Sequence, residues 1–268
     1  MDEMHKTGSG SVQPAGVAGA AAWVDAELSN PHQNNEKAGK VRSMFTAIAS
    51  SYDLNNRVHS LGRDQAWRKY AVKRGQVKSG DAVLDVACGT GDLTQAFAAS
   101  EAEEVIGLDF TAAMLDHARI KQRRISGETG KKITYIEGDA QALPFDAARF
   151  NVLSIAFGIR NVASPQKALA EFYRVLKPGG RLVVLEFDRP SFAPLRWFND
   201  FYCGWVMPRT ATMISGDTSG AYKYLPASVG TFMIRAEMCK AIAATGLKDV
   251  QSRGLSLGIC VCYSAVKP

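Results

Sequence analysis

Short β-rich runs alternate with helical stretches through the middle of this 268-residue chain. The runs are Ala82–Val86, Val105–Asp109, Ile133–Glu137, Phe150–Phe157 and Arg181–Phe187, and the helical stretches between them lie near 91–99, 111–124 and 164–176. Strands that are each followed by a helix pair in parallel, so the alternation predicts an α/β fold with a doubly wound sheet. A helix near 235–245 and two final strands, Lys248–Ser252 and Leu257–Val266, complete a mostly parallel seven-stranded sheet with an antiparallel hairpin at one edge.

Other segments flank this core. Apolar residues recur at helical spacing in residues 39–75, which predicts N-terminal helices. Residues 191–232 are crowded with aromatic side chains and interrupted by prolines, which predicts a cap inserted over a site. Residues 1–38 are rich in small and polar residues and contain few large apolar ones, so we expect a disordered tail ahead of one domain spanning 39–268.

Composition narrows the class of protein. Hydrophobic residues make up 46% and charged residues 22%, and no apolar run approaches the ~18 residues of a membrane-spanning helix. The net charge of +6 comes from short basic groups such as Arg68-Lys69, which indicate a solvated face or, alternatively, attraction to an anionic membrane surface or an acidic partner. Basic residues are not interleaved with aromatics in a stripe, so we expect no nucleic acid partner.

The cysteines and histidines carry little chemistry. Five cysteines lack CxxC spacing, which predicts reduced thiols and a cytoplasmic protein, with Cys260 and Cys262 on one face of the last strand. Four histidines are scattered without ligand spacing, so we expect no metal site.

A glycine-rich turn follows the first strand of the predicted sheet. Gly89 and Gly91 let the backbone turn tightly and approach a ligand, and the helix behind them offers free N–H groups. Asp109 ends the next strand, 18 residues after Gly91, where a carboxylate can accept hydrogen bonds from both hydroxyls of a ribose. The pattern predicts a nucleotide-like cofactor.

Three carboxylates at neighbouring strand ends help to distinguish a dinucleotide such as NAD from S-adenosyl-L-methionine. The third glycine of a dinucleotide fingerprint is replaced by Thr94, and Asp85 at the end of the first strand would repel a pyrophosphate. Asp139, at the end of the third strand, is placed to accept from an adenine amino group while Ala140 leaves room for the ring. The set favours S-adenosyl-L-methionine, which is cationic and free of phosphate; an NAD-dependent oxidoreductase is the alternative.

Several longer motifs are more specific. They are Phe45-x6-Tyr52-Asp53, Asp85-x3-Gly-Thr-Gly-Asp92, Gly138-Asp-Ala-x-x-Leu-Pro-Phe145, Phe157-Gly-Ile-Arg-Asn161, Arg174-Val-Leu-Lys-Pro-Gly-Gly-Arg181, Leu185-Glu-Phe187, Pro208-Arg209 and Tyr222-x-Tyr224-Leu225. With them the chain resembles the class I S-adenosylmethionine-dependent methyltransferases and, more closely, the ubiquinone/menaquinone biosynthesis C-methyltransferases of the UbiE/MenG type. The resemblance runs from about residue 40 to the C-terminus.

The resemblance implies roles for individual residues. The expected cofactor-binding residues are Asp85, Gly89, Thr90, Gly91, Asp109, Phe110, Asp139 and Ala140. Arg160 and Asn161 are expected near the reacting atoms, with Arg160 as a charge stabiliser and water-orienter, or alternatively as half of a salt bridge between lid and core. Tyr52 and Asp53 would close over the substrate ring and relay its proton, which makes Tyr52 a catalytic candidate with Arg160 and Asn161. Tyr222 and Tyr224 would also contact the substrate.

The implied reaction is C-methylation of a polyprenylated quinol, demethylmenaquinol or the ubiquinol-pathway benzoquinol. A quinone ring is electron-poor, whereas a deprotonated quinol carries negative charge on the ring carbon, so we expect the reduced form to react. The aromatic cap would supply a channel for the prenyl tail, and the protein would touch an anionic membrane from the cytoplasmic side. A homo-oligomer stays open, as do a methyltransferase of another lipid or small phenolic and a non-catalytic donor-binding or RNA-binding module.

Overall fold

Seven strands form one sheet in the computed structural model, which describes residues 22–125, 127–217 and 219–268. They are β1 Ala82–Val86, β2 Glu104–Asp109, β3 Ile133–Glu137, β4 Phe150–Ala156, β5 Leu176–Phe187, β6 Lys248–Leu255 and β7 Cys260–Val266. Their order is β3-β2-β1-β4-β5-β7-β6; β1 to β5 run parallel, and β7 pairs antiparallel with both β5 and β6. The predicted fold class, including the hairpin at the edge, is confirmed.

Helices cover both faces of the sheet and one end of it. They are α1 Lys37–Ile48, α2 Tyr52–His59, α3 Arg63–Gly75, α4 Asp92–Ala98, α5 Ala112–Gln122, α6 Glu128–Lys131, α7 Pro165–Val175, α8 Ala193–Phe201, α9 Met207–Ser215, α10 Ala221–Thr231 and α11 Arg235–Ala244, with a π-helical turn at Tyr202–Val206. The sequence prediction of N-terminal helices places no separate helix at α2, whose eight residues are mostly polar and whose apolar Leu54 and Val58 are exposed. In the described ranges, no helix combines the length and apolar character needed to cross a bilayer.

The core lies in two layers, one on each face of the sheet. On one face, Phe172 of α7 and Ile242 of α11 are fully buried against the strands. On the other, Trp67 of α3 and Phe97 of α4 pack with both cysteines of β7, so the prediction that Cys260 and Cys262 share a face is confirmed. Because the strand faces are buried on both sides, the ligand-accessible positions are at the strand ends.

The segment before α1 differs from the sequence prediction. Residues 1–21 lie outside the described residues, but residues 22–38 are packed, so a disordered tail extending to residue 38 is wrong for this part. Trp23 is only 5% exposed, and its ring stacks on that of Tyr224 at 4.7 Å between centroids. Lys40 Nζ donates to Glu27 at 2.9 Å. Average composition does not reveal order that depends on one buried tryptophan.

Replacing Trp23 by alanine should lower the free energy of unfolding by about 3 kcal/mol, because the substitution opens a cavity beneath α10. Val24→Ala is the matched control, since the neighbouring Val24 side chain is 55% exposed and its truncation should change stability little. Urea unfolding followed by circular dichroism measures both. Equal stability of the two variants would contradict the packing of this segment.

Candidate active site

A cavity lies where β1, β2, β3 and β4 end, and we call it the strand-end cavity. Five of the predicted cofactor-binding residues line it: Gly89, Asp109, Phe110, Asp139 and Ala140. Helix α1 closes it with Val41 and Phe45. In the described part of the chain, its lining contains two carboxylates and no lysine or arginine side chain. The cavity therefore suits a ligand with positive charge and no phosphate.

Asp109 is held rigidly at the floor of this cavity. Its Oδ2 accepts from Gly89 N at 2.8 Å and its Oδ1 accepts from Thr111 N at 2.8 Å. The residue is 8% exposed, and burial raises the pKa of Asp109 above its usual value while these N–H groups oppose the rise. Each carboxylate oxygen keeps a further lone pair, so the side chain can accept from two neighbouring hydroxyls.

Asp139 and Ala140 form the opposite wall. The exposed carboxylate of Asp139 accepts from the backbone N of Gln141 at 2.9 Å, which turns the loop after β3. Ala140 is 7% exposed and its small side chain leaves the wall flat. Phe110 continues the wall beside Asp109, and the Arg42 guanidinium lies 4.7 Å from its ring centroid on the outer side.

Asp85 does not line the cavity, contrary to the sequence prediction. Its Oδ2 accepts from Thr94 Oγ1 and its Oδ1 from Ser154 Oγ, both at 2.7 Å. Strand alternation points Asp85 to the face covered by α4, where the carboxylate lies beneath the glycine turn with 1% of its surface exposed. These two hydrogen bonds join β1, β4 and α4, and burial raises the pKa of Asp85 to about 6.

Thr90 and Gly91, two further predicted cofactor-binding residues, contact other parts of the protein outside the cavity lining. Thr90 Oγ1 donates to Asp53 Oδ1 at 2.5 Å and lies 3.2 Å from Lys121 Nζ, so the glycine turn is tied to α2. Gly91 has a φ of 82°, and a Cβ there would collide with the Tyr135 ring. Neither Thr90 nor Gly91 lines the cavity. Asp53 pairs with Lys121 at 2.7 Å.

A second space, which we call the inner cavity, adjoins the first. Its walls come from α1, α2, α3 and α10 and from the ends of β4 and β5, and the four predicted substrate residues Tyr52, Arg160, Tyr222 and Tyr224 all line it. Tyr52 lines both cavities, as do Phe45 and Phe157, so these rings form the boundary between the two. Burial raises the pKa of Tyr52, which keeps its hydroxyl protonated.

Arg160 is one half of a buried ion pair. Its Nη1 donates to Glu186 Oε1 at 2.7 Å and to the Phe157 carbonyl at 2.7 Å, and its side chain is 6% exposed. The pair joins the ends of β4 and β5, not a lid and the core. Asn161 lies on the other side, in the strand-end cavity, where its Oδ1 accepts from Tyr224 O–H at 3.0 Å.

Arg68 is the site residue that the sequence interpretation missed. It lines the inner cavity with 7% of its surface exposed, and within the described residues its Nε and Nη1 have no hydrogen-bond acceptor. Asp92 Oδ2 is 3.7 Å from Nε, beyond hydrogen-bond distance, and the guanidinium lies over the Phe157 ring. The sequence places the Arg68-Lys69 pair on a solvated face, which is wrong for Arg68, whereas Lys69 is exposed. The available signal was helical spacing, which aligns Arg68 with the buried Asp64 and Ala71.

Asn55 adds an acceptor to the same cavity. Its Nδ2 donates to Tyr222 Oη at 2.8 Å, while its Oδ1 is buried without a donor among the residues described. Unpartnered buried polar atoms are uncommon in folded proteins, and those of Arg68 and Asn55 belong to residues that line one cavity. Arg68 and Asn55 thus present N–H donors and a carbonyl acceptor to the inner cavity.

A groove of about 950 Å³ continues from the inner cavity to the surface between α2 and the cap. The two spaces share Trp67, Phe187, Tyr222 and Leu225 with Asn55 and Asn56. Beyond them the groove is lined by side chains such as Leu195, Phe198, Met207 and Val229. The strand-end cavity, inner cavity and groove therefore form a connected series.

The family model of the ubiE/COQ5 methyltransferase family matches residues 32–267. This chain belongs to that family. Among its relatives, the demethylmenaquinone methyltransferase of Clavibacter sepedonicus is 37% identical over 87% of this chain and 93% of its own length. The ubiquinone/menaquinone biosynthesis C-methyltransferase UbiE of Psychromonas ingrahamii is 41% identical over 88% of this chain and 93% of its own.

Solved structures share the fold at low identity. An S-adenosylmethionine-dependent methyltransferase from Thermotoga maritima superposes with a TM-score of 0.59 at 18% identity, covering 85% of this chain and all of its own. A second such methyltransferase, from Aquifex aeolicus, superposes with a TM-score of 0.56 at 16% identity, covering 81% of this chain and 98% of its own. The seven-stranded sheet is thus that of class I methyltransferases, and the chain is a methyltransferase by family.

The buried carboxylate of Asp85 predicts a pH dependence of stability. The pKa of Asp85 is about 6 in the folded state and about 3.9 in an unfolded chain. Between these two pH values the folded state binds a proton that the unfolded state has lost, so the free energy of unfolding falls as pH rises. The free energy of unfolding of the wild type minus that of Asp85→Asn should therefore fall by about 2 kcal/mol between about pH 4 and pH 7.

Urea unfolding at a series of pH values measures this difference. Asp116→Asn provides the control, since that carboxylate is 69% exposed and its removal should leave no such trend. A difference for Asp85→Asn that is flat or rises with pH would contradict the raised pKa.

Proposed function

We propose that this chain is an S-adenosylmethionine-dependent C-methyltransferase of a polyprenylated quinol, either demethylmenaquinol or the benzoquinol of ubiquinone synthesis. Relatives covering most of the chain carry names for these two reactions. The observation that carries the proposal is the connected series of spaces: an acidic strand-end cavity, an inner cavity with unpartnered polar atoms, and a largely apolar groove leading out.

The strand-end cavity fits the methyl donor, which has an ammonium, a sulfonium and a ribose. Asp109 would accept from the ribose hydroxyls and Asp139 from the adenine amino group, with Phe110 and Ala140 against the ring. A pyrophosphate would meet two carboxylates and no cation in the described lining, which argues against NAD. When bound, the donor supplies a methyl group that is already activated by the positive sulfur.

The inner cavity would hold the quinol ring next to that methyl group. Methylation at carbon needs negative charge on the ring, which appears when one hydroxyl gives its proton to water. The ring carbon would then take the methyl group as its bond to sulfur breaks, S-adenosylhomocysteine would leave, and loss of the proton on that carbon to water would restore the aromatic ring. The free N–H groups of Arg68 would stabilise this phenolate oxygen, and Asn55 Oδ1 would accept from the second hydroxyl. Arg160 donates to Glu186 at 2.7 Å, whereas Asp92 Oδ2 stays 3.7 Å from Arg68 Nε. Arg68 is therefore the cation that still has N–H donors to offer the substrate.

The boundary rings would fix geometry and exclude water. Tyr52, Phe45 and Phe157 separate the two cavities with largely apolar surface, and the Phe45 and Tyr52 rings meet edge to face at 5.9 Å. Arg160 holds the Phe157 carbonyl, so it is a positioning residue for this boundary. Alignment of the nucleophilic carbon with the methyl group supplies most of the catalysis in such a site.

The prenyl tail would lie in the groove, where Trp67, Leu225 and Phe198 offer apolar contact. A tail that leaves through the groove keeps the ring at the boundary and the rest of the chain away from the donor. The groove thus matches a substrate with a small polar head and a long apolar tail, and a small phenolic without a tail would leave it empty.

Methyl transfer from labelled donor tests the proposal. The acceptors are short-tailed demethylnaphthoquinol and benzoquinol, their oxidised forms, and a simple phenol, and mass spectrometry locates the new methyl group. We expect label on a ring carbon of a reduced quinol and none on the quinones. Label on oxygen, or on the tail-less phenol alone, would replace this proposal by a methyltransferase of another lipid or small phenolic.

Asp109→Asn should weaken donor binding about tenfold or more, because the amide nitrogen cannot accept from a ribose hydroxyl and Gly89 N loses a charged acceptor. Isothermal titration calorimetry with S-adenosylmethionine measures the affinity, and Asp116→Asn on the exposed face of α5 serves as the control. Heat of binding for NAD in place of the methyl donor would refute the cofactor assignment.

Arg68→Met should lower kcat about 100-fold while leaving donor affinity nearly unchanged, because the cation is needed only when the ring oxygen becomes negative. The variant should also need a higher pH to reach its maximal rate, since the bound quinol loses the charge that lowers its pKa. Lys69→Met is the matched control, because Lys69 is the exposed neighbour on α3.

A merely structural role for Arg68 would lower the rate without moving the pH profile. Arg68→Lys should recover part of the rate, since the charge is restored without the planar geometry. An unshifted profile in Arg68→Met would therefore rule out the proposed role.

A further inference from the structure

Three aromatic rings lie stacked on the outer side of the cap. Trp197, Phe201 and Trp205 follow one another at intervals of four residues, with centroids 6.1 and 5.7 Å apart and planes within 14° of parallel. Their side chains are 72, 48 and 53% exposed, and we call them the aromatic ridge. A contiguous apolar surface of large rings indicates an interaction site, unlike scattered exposed leucines.

Two arginines, Arg196 and Arg209, flank the ridge along the helix. Arg196 and Arg209 are exposed beside it, and the Arg209 guanidinium lies 4.4 Å from the Trp205 ring centroid. Arg189 and Asp200 neutralise each other in an exposed pair at 3.1 Å. The ridge is therefore apolar at its centre and positively charged at its margin. Tryptophan next to arginine is typical of surfaces that lie at the interface of an anionic bilayer.

The ridge and the groove occupy two sides of the same helix. Leu195, Phe198 and Tyr202 face the groove, while Trp197 and Phe201 do not line it. The rim of the groove carries two further apolar side chains, Leu61 and Leu257, which are 87 and 81% exposed. The opening through which an apolar tail would leave is thus bordered by side chains that themselves avoid water.

We propose that the aromatic ridge inserts into the headgroup region of an anionic lipid bilayer and sets the groove opening against the membrane. The inference rests on the proposed function, because it gives the prenyl tail a path from bilayer to inner cavity without crossing water. A second copy of the chain fits the ridge less well. In a two-fold interface the ridge would face its own image, which would bring the arginine margins of the two copies together.

Partitioning onto vesicles tests the insertion. The wild-type chain is mixed with vesicles of phosphatidylcholine containing phosphatidylglycerol, and with phosphatidylcholine alone. We expect stronger binding to the anionic vesicles, weakened by salt, and quenching of tryptophan fluorescence by brominated lipid. The variant Trp197→Ser with Phe201→Ser and Trp205→Ser should bind about tenfold or more weakly. Val24→Ser with Ile120→Ser and Ile234→Ser removes exposed apolar side chains elsewhere and should bind as the wild type does.

The arginines at the margin of the aromatic ridge allow a second, independent test of membrane binding. Arg196→Glu with Arg209→Glu should lower binding to anionic vesicles several-fold and leave binding to phosphatidylcholine unchanged. Arg123→Glu with Arg124→Glu makes the same change of charge in the exposed turn after α5 and should have little effect. Equal losses in both variants would mean that only net charge matters, which would overturn a specific docking face.

Activity separates this inference from the proposed function. The ridge variant should methylate a short-tailed quinol in solution at the wild-type rate and lose activity toward a long-tailed quinol held in vesicles. Unchanged vesicle binding in the ridge variant, or a dimer that the ridge variant abolishes without any vesicle binding, would overturn the inference. Failure of the wild type to methylate the short-tailed quinol would instead refute the proposed function.

Discussion

Strands β1 to β4 end at one edge of the sheet, and the chain order reverses there between β1 and β4. This reversal leaves a crevice that helices cannot fill, so ligands of such sheets bind there. The crevice keeps its shape because Asp85, buried beneath the glycine turn, accepts a hydrogen bond from Thr94 of α4 and another from Ser154 of β4. The turn above it is thereby held where Gly89 can donate to Asp109.

Electrostatics divides the site into two halves. The strand-end cavity is lined by two carboxylates, whereas the inner cavity contains Arg68 with N–H groups that lack an acceptor among the described residues. The other charged groups there are paired, Arg160 with Glu186 and Asp64 with Arg57. The rings of Tyr52, Phe45 and Phe157 separate the two cavities. A cationic donor and an acceptor that becomes anionic would each meet complementary charge, and the apolar boundary limits water where they react. Asp53 of α2 accepts from Thr90 of the glycine turn and pairs with Lys121 of α5. These contacts join a wall of the inner cavity to a wall of the strand-end cavity.

The parts of the fold that follow from local pattern were predictable from sequence. All seven strands were located, because their apolar runs are bounded by turns, and Asp109 was placed at its strand end. Strand alternation and helical spacing group Asp85 and Arg68 with other residues on one face of their elements. Which face is buried depends on which helix covers it, and the sequence alone does not give that. The order of residues 22–38 depends on the contact of Trp23 with Tyr224, which lies about 200 residues further along the chain.

A crystal structure with S-adenosylhomocysteine and a short-tailed quinol analogue tests the central claim most directly. The account predicts the ribose hydroxyls on Asp109, the quinol ring in the inner cavity with an oxygen on Arg68, and its tail directed into the groove. A nucleoside bound away from Asp109, or a ring bound outside the inner cavity with Arg68 still unpartnered, would contradict it.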